Sequence, residues 1–258
     1  MSSTLACIGL GVARPGDFDE LMARVLPLAV PVGDGPGHEY HRWTAESGAR
    51  LTIRTRDGDP DYAVPSFAGV PGARLSGIAA VTGYVASADV LGTDDEVSTR
   101  LLCELEQSPF LEIDPVSGDA AVTAFGVDVR VYVDEAAYEA SDDSMLDPAK
   151  KHEPRPENLP EFMKWPLRKA TESFVSYGLF GDPARAEPYA MLSGTVLSAE
   201  SGTVTLTGQT FHVARTVSAG MEVDVCLAAT DHPEAPPVGG IVTGTVYLVA
   251  SVDSLWPV

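Results

Sequence analysis

Tyr189–Val249 contains five short apolar runs: YAMLSGTVL (Tyr189–Leu197), TVTL (Thr203–Leu206), TFHVARTV (Thr210–Val217), EVDVCLA (Glu222–Ala228) and GIVTGTVYLV (Gly240–Val249). They are rich in β-branched residues and are separated by Gly202, Gly208, Gly220 and the three-proline loop Asp231–Gly239. Five strands within so short a stretch predict a small closed antiparallel barrel, OB- or SH3-like. Ser193-Gly194-Thr195-Val196 is echoed by Thr243-Gly244-Thr245-Val246, a shared strand device and not a duplicated domain.

Upstream, Asp147–Pro160 reads DPAKKHEPRPENLP, with prolines at 148, 154, 156 and 160. Proline fixes φ and lacks an amide hydrogen, so this segment suits neither a ladder nor a helix interior. The expected organisation is an acidic domain over 1–148, a Pro-rich linker over 149–161, and a helix plus five-stranded barrel over 162–258. Pro166–Tyr177 supplies that helix, with Leu167, Ala170, Phe174 and Tyr177 on its apolar side.

The first domain opens with an apolar run, Thr4–Val12, read as a buried strand. Pro15–Val30 follows, with Phe18, Leu21, Met22, Val25, Leu26 and Ala29 on one helical face. Tyr40–Ala45 and Arg50–Arg56 form a hairpin closing at Asp57-Gly58. Leu75–Val90 is strand broken at Gly77 and Gly83, and Thr93-Asp94-Asp95-Glu96 has capping-box spacing ahead of a helix carrying Val97, Leu101, Leu102 and Leu105. Phe110–Ile113, Ala120–Phe125 and Val127–Val133 complete a meander, in which Val127, Val129, Val131 and Val133 alternate with Asp128, Arg130 and Tyr132. The fold class expected is therefore α+β: an N-terminal mixed α/β sandwich-like domain of strand–helix–hairpin order, followed by a small C-terminal antiparallel β-barrel. The opening order over residues 4–85 resembles half of a vicinal-oxygen-chelate module, as in glyoxalase-like proteins. The resemblance is one of order alone and carries over no residue.

The 258 residues are 45% hydrophobic and 21% charged, enough apolar sequence for a core, which excludes wholesale disorder. No run approaches the ~20 apolar residues that cross a bilayer. The N-terminus lacks the basic start of a secretory signal, so none is expected. The formal net charge is −20, and residues 81–150 alone carry 16 acids against 3 bases. Such a field repels phosphate backbones and anionic lipid surfaces, so nucleic acid and membrane are not expected partners. A protein partner or a small anionic ligand remains. Cys7, Cys103 and Cys226 are odd in number and lie far apart with no C-x-x-C, so they read as buried core thiols in a cytoplasmic protein.

Few motifs carry chemistry. Gly9 and Gly11 start like a dinucleotide fingerprint, but Arg14 stands where the third glycine belongs, and no cofactor is expected. Asp57, Asp59 and Asp61 begin like a calcium loop, yet Tyr62 and Ala68 occupy the positions of its glycine and bidentate glutamate. His38 and His41 are the metal candidates. Their i,i+3 spacing on a strand sends them to opposite faces, with Glu39 between them. On Arg50–Arg56, period two puts Arg50, Arg54 and Arg56 on one face with Thr52, and Tyr40 and Arg42 lie across the hairpin. That face is the best candidate for a bidentate grip on a small anion. No G-x-S-x-G elbow occurs, no cysteine is visibly partnered with histidine, and the acid pairs Asp94/Asp95 and Asp142/Asp143 lie in caps and loops. The function expected is a non-enzymatic binding or protein–protein interaction module. The alternative is a small-molecule enzyme or ligand sensor with its site on the His38–Arg56 hairpin, which requires those side chains to converge on one concave pocket.

Overall fold

In the computed structural model, which describes residues 3–35, 37–111 and 114–257, strand accounts for 49% of the chain and helix for 16%. This corrects the α+β expectation: the protein is mostly β, built from two sheets.

The first sheet is a four-stranded antiparallel meander of β1 (Val30–Gly35), β2 (His38–Thr44), β3 (Ala49–Arg56) and β4 (Asp59–Phe67). The hairpin read from sequence is β2–β3. Asp57 (φ 53°) and Gly58 (φ 87°) both take positive φ in the tight turn to β4, as a two-residue type I′ connection requires. The second sheet contains β5 (Ala73–Thr82), β6 (Val85–Leu91), β7 (Val97–Leu105), β8 (Val116–Tyr132), β9 (Ser173–Ser176), β10 (Tyr189–Val204), β11 (Gln209–Ser218), β12 (Met221–Ala228) and β13 (Ile241–Ser251). Its spine is the long antiparallel ladder β8–β13. From one flank, β5, β6 and β7 run from β8 round to β13. From the other, β12, β11 and β10 do the same.

Several expected elements are corrected here. No self-contained C-terminal barrel exists, because Tyr189–Leu197 and Thr203–Leu206 are one strand, β10, and the ring of pairings through the tail is closed by β8. Strands on both sides of the Pro-rich segment thus share one sheet. Thr4–Val12 is not a strand. It forms a 3-10 turn at Ala6–Ile8 that buries Cys7, Ile8 and Leu10. A short apolar run signals burial without specifying how it is buried. The order resembling half a vicinal-oxygen-chelate module accordingly loses its first strand. Residues 97–105 are strand, and Thr93–Glu96 is a turn in which Gly92 N–H donates to the Glu96 carbonyl and Asp94 accepts from Glu96 N–H. β7 is buried on both faces at its C-terminal half, so no polar alternation marked it. Residues 166–177 hold no helix: Ser173–Ser176 pairs with the free flank of β10, and tertiary pairing overrides the local pattern. The strands expected at 120–125 and 127–133 fuse into β8, with Val127 as the extra residue of a bulge opposite Thr245/Val246. Ile113 lies outside the described residues.

Helix α1 (Pro15–Val25) takes up only the first part of the expected Pro15–Val30 helix, which ends in a 3-10 turn at Leu26–Leu28 before β1; the Asp17 carboxylate accepts from Arg14 N–H at 2.9 Å, and a second short helix, α2 (Glu135–Ala140), follows β8. Two cores result. One fills the large sheet, from Leu75 and Leu101 to Leu192, Val225 and Leu248. The other joins the meander to it: Leu21, Met22 and Val25 of α1, Leu51, Ile53 and Val64 of the meander, and Phe125, Phe211 and Val249 of the large sheet fall in one buried cluster. Among the described residues no helix is long and apolar enough to cross a membrane.

Candidate functional site

The β2–β3 register pairs Tyr40 with Arg54 and Arg42 with Thr52. Directly opposed residues share a face, so His38, Tyr40, Arg42, Arg50, Thr52, Arg54 and Arg56 lie on one side of the hairpin. Glu39, His41 and Trp43 lie on the other. The two candidate metal histidines are therefore parted by the strand: His38 Nε2 lies 2.8 Å from Arg56 Nη2 and 3.6 Å from Asp61, while His41 Nε2 lies 3.5 Å from Glu39. Among the described residues no group of three or more His, Cys, Asp or Glu is placed to hold a metal.

The arginines do share one face, where Arg50 and Arg54 are partly buried and paired while Arg56 stays exposed. Arg54 makes a bidentate pair with Asp61 (Nε–Oδ1 2.6 Å, Nη2–Oδ2 3.0 Å), and its guanidinium lies 5.7 and 5.8 Å from the rings of Tyr62 and Tyr84, which stack at 4.2 Å. Hydrogen bonding to Arg54 holds the Asp61 carboxyl below the usual carboxylate range. Arg50 Nη1 lies 3.4 Å from Glu106, a fully buried carboxylate that also accepts from the Thr52 hydroxyl at 3.1 Å. Arg42 reaches Asp253 at 3.8 Å and lies over Trp256, and buried Tyr40 meets Phe110 edge-on at 5.0 Å. Each guanidinium is engaged with a carboxylate of this chain.

The partners that cover this face were not singled out from sequence. Glu104 and Glu106, two apart, project from the end of β7 toward the meander. Buried Glu104 accepts from the hydroxyls of Tyr62 and Tyr247, the latter at 3.0 Å. Burial raises the Glu104 pKa above the ordinary carboxylate value, while the two phenols pull it back. Reading Arg100-Leu101-Leu102-Cys103-Glu104-Leu105-Glu106 at period two would have found both acids on one face. The arrangement is a polar joint between the two sheets. None of the seven residues named on the hairpin lines any of five surface clefts found among the described residues, of which one of about 530 Å³ lies between Phe67–Val70 and β10, β11 and β12.

The chain matches no family model, no curated protein and no solved structure.

A different feature is open to solvent. Residues 141–188 cross from α2 to β10 with little regular structure. Their inner ties are polar: Lys151 on Asp142 (2.7 Å), Lys164 on Glu139 (3.3 Å), Trp165 Nε1–H donating to the Glu153 carbonyl (2.9 Å) and Arg168 donating to the Ser141 carbonyl (3.0 Å). Met145 is buried and Phe174 packs on the main core, but other large apolar side chains of the segment face water. Phe162 is 87% exposed and Phe180 81%, and Leu146 and Met163 are exposed as well. Neither phenylalanine was singled out from sequence, although Phe162 stands beside Met163 just beyond the proline run.

Proposed function

We propose that the protein is a non-enzymatic protein–protein interaction module that presents the crossing segment 141–188 to its partner. The observation that carries this reading is the pair of nearly fully exposed phenylalanines on a segment anchored by hydrogen bonds and ion pairs. Leaving such a side chain in water forgoes about 1.5–3 kcal/mol of burial free energy, and aromatic side chains dominate the energetics of protein interfaces. The hairpin alternative has less support, because its arginines already hold the chain's own carboxylates. The net charge of −20 favours a protein over a nucleic acid as partner. The reading places the protein in the cytoplasm, supported by three buried cysteines left free.

Photo-crosslinking tests it. A benzophenone amino acid at position 162 or 180, expressed in the source cell, is expected to give a discrete crosslinked species. The same group at Val70 or Val238, exposed but remote in sequence from the segment, is expected to give none. Equal crosslinking at all four positions overturns the proposal.

A further inference from the structure

The chain has four lysines. Three place their ammonium groups on carboxylates: Lys150 on Asp147 (3.7 Å), Lys151 on Asp142 (2.7 Å) and Lys164 on Glu139 (3.3 Å). Lys169 does not. Its Nζ lies 3.7 Å from the Met191 thioether, a weak acceptor, and the half-buried side chain borders a cleft of about 230 Å³. The groups facing this cleft are Asp128 and Arg130 from β8, Asp143 from the loop after α2, Tyr177 after β9, and Thr243 and Thr245 from β13. The carboxylate whose charge Lys169 feels is already committed: Asp143 accepts from the Tyr132 hydroxyl and pairs with Arg130 at 3.3 Å. The backbone is fixed as well, since Lys169 N–H donates to the Ser144 carbonyl at 2.6 Å. An ammonium so placed has lost part of its hydration without gaining an anion. Burial accordingly lowers its pKa from the ordinary lysine value, against the smaller opposing pull of Asp143.

We propose that Lys169 is a nucleophilic amine that captures a small aldehyde as an imine in this cleft. The neutral Nζ adds its lone pair to the carbonyl carbon, and the C=O π pair moves to oxygen. A proton passes from nitrogen to that oxygen to give a carbinolamine. The hydroxyl then leaves with a second nitrogen proton as water, and C=N forms. Nothing is oxidised or reduced. A desolvated lysine beside a cavity is the usual setting for such chemistry; Lys169 lies in the segment proposed to dock a partner, but the capture is read without one, so the two proposals fail separately.

The test uses the whole folded chain with propanal and cyanoborohydride at neutral pH, and peptide mapping of alkylation at each lysine. Lys150, Lys151 and Lys164 serve as internal references. Lys169 is expected to alkylate faster than any of them, because burial leaves more of it as neutral amine, and the preference is expected to vanish in urea. Met191→Glu, which puts a carboxylate where the thioether lies, is expected to slow Lys169 to the rate of its paired neighbours. The proposal is overturned if the folded wild-type chain alkylates all four lysines at similar rates, if the preference survives unfolding, or if a folded M191E variant keeps it.

Discussion

Arg50→Met tests whether the joint between the sheets is an ion pair that the fold depends on. Glu106 has no solvent exposure, and its two oxygens face Arg50 Nη1 at 3.4 Å and the Thr52 hydroxyl at 3.1 Å. Methionine keeps much of the stem and removes the cation, leaving one neutral donor on a buried carboxylate. Breaking one side of a buried pair costs about 3–5 kcal/mol, mostly because a charge is left uncompensated. For a chain of this length that corresponds to a Tm lower by about 6–20 °C. Glu106→Gln alone leaves the guanidinium with a neutral acceptor, and R50M/E106Q leaves no buried charge. The double variant is therefore expected to lose less than the sum of the single losses, by at least about 1 kcal/mol. Urea unfolding of the four proteins, followed by far-UV circular dichroism, closes the cycle. An R50M loss below about 1 kcal/mol, or additivity within about 0.5 kcal/mol, would refute the reasoning and make the contact incidental.

Three further outcomes follow from the same geometry. Because burial raises the folded-state pKa of Glu104, the folded protein binds more protons than the unfolded chain between the two pKa values, and stability falls as pH rises through that window. Urea midpoints for wild type minus Glu104→Gln should therefore decline from about pH 4 toward neutrality, and Tyr247→Phe, which removes a donor to the ionised form, should steepen the decline. Gly48 and Gly58 both have positive φ (85° and 87°), so alanine at either is strained by about 1–2 kcal/mol; only at Gly48 would the added Cβ meet a core ring, Phe67, at 2.4 Å, and G48A should exceed G58A in thermal destabilisation by about 1–3 kcal/mol. Cys7, Cys103 and Cys226 are buried, with the Cys7 thiol pushed up to about 11 and that of Cys103 to about 12 by burial, so Ellman's reagent should label them only as fast as the chain unfolds.

Where local chemistry decides an element, the sequence was legible. Helix α1 carries its apolar stripe at helical period, and the β3 arm of the β2–β3 hairpin alternates Leu51 and Ile53 with its polar residues, with Asp-Gly at the following turn. What was illegible depends on distant partners. β9 is a strand because the flank of β10 beside Ala190–Ser193 is free to take it, which nothing in residues 166–177 announces. The tail reads as a closed unit because each of its strands is well formed. That the ring needs β8, more than fifty residues upstream, is a matter of sheet closure and leaves no mark on the local pattern.

One ambiguity of period hides most of the candidate site from the sequence. On a helix, residues two apart diverge by about 200°, so Glu104 and Glu106 would have been unrelated acids. On a strand they project together, and here they meet Tyr62, Tyr247, Arg50 and Thr52. With 97–105 expected as helix, these counter-charges stand apart, and Arg50 and Arg54 look like an unoccupied grip. Buried arginines require carboxylates within reach. A strand bearing Arg at 50, 54 and 56 in alternation with Leu51 and Ile53 is itself a signal that acids at two-residue spacing should be sought elsewhere in the chain, and Glu104 and Glu106, on either side of Leu105, are one such pair.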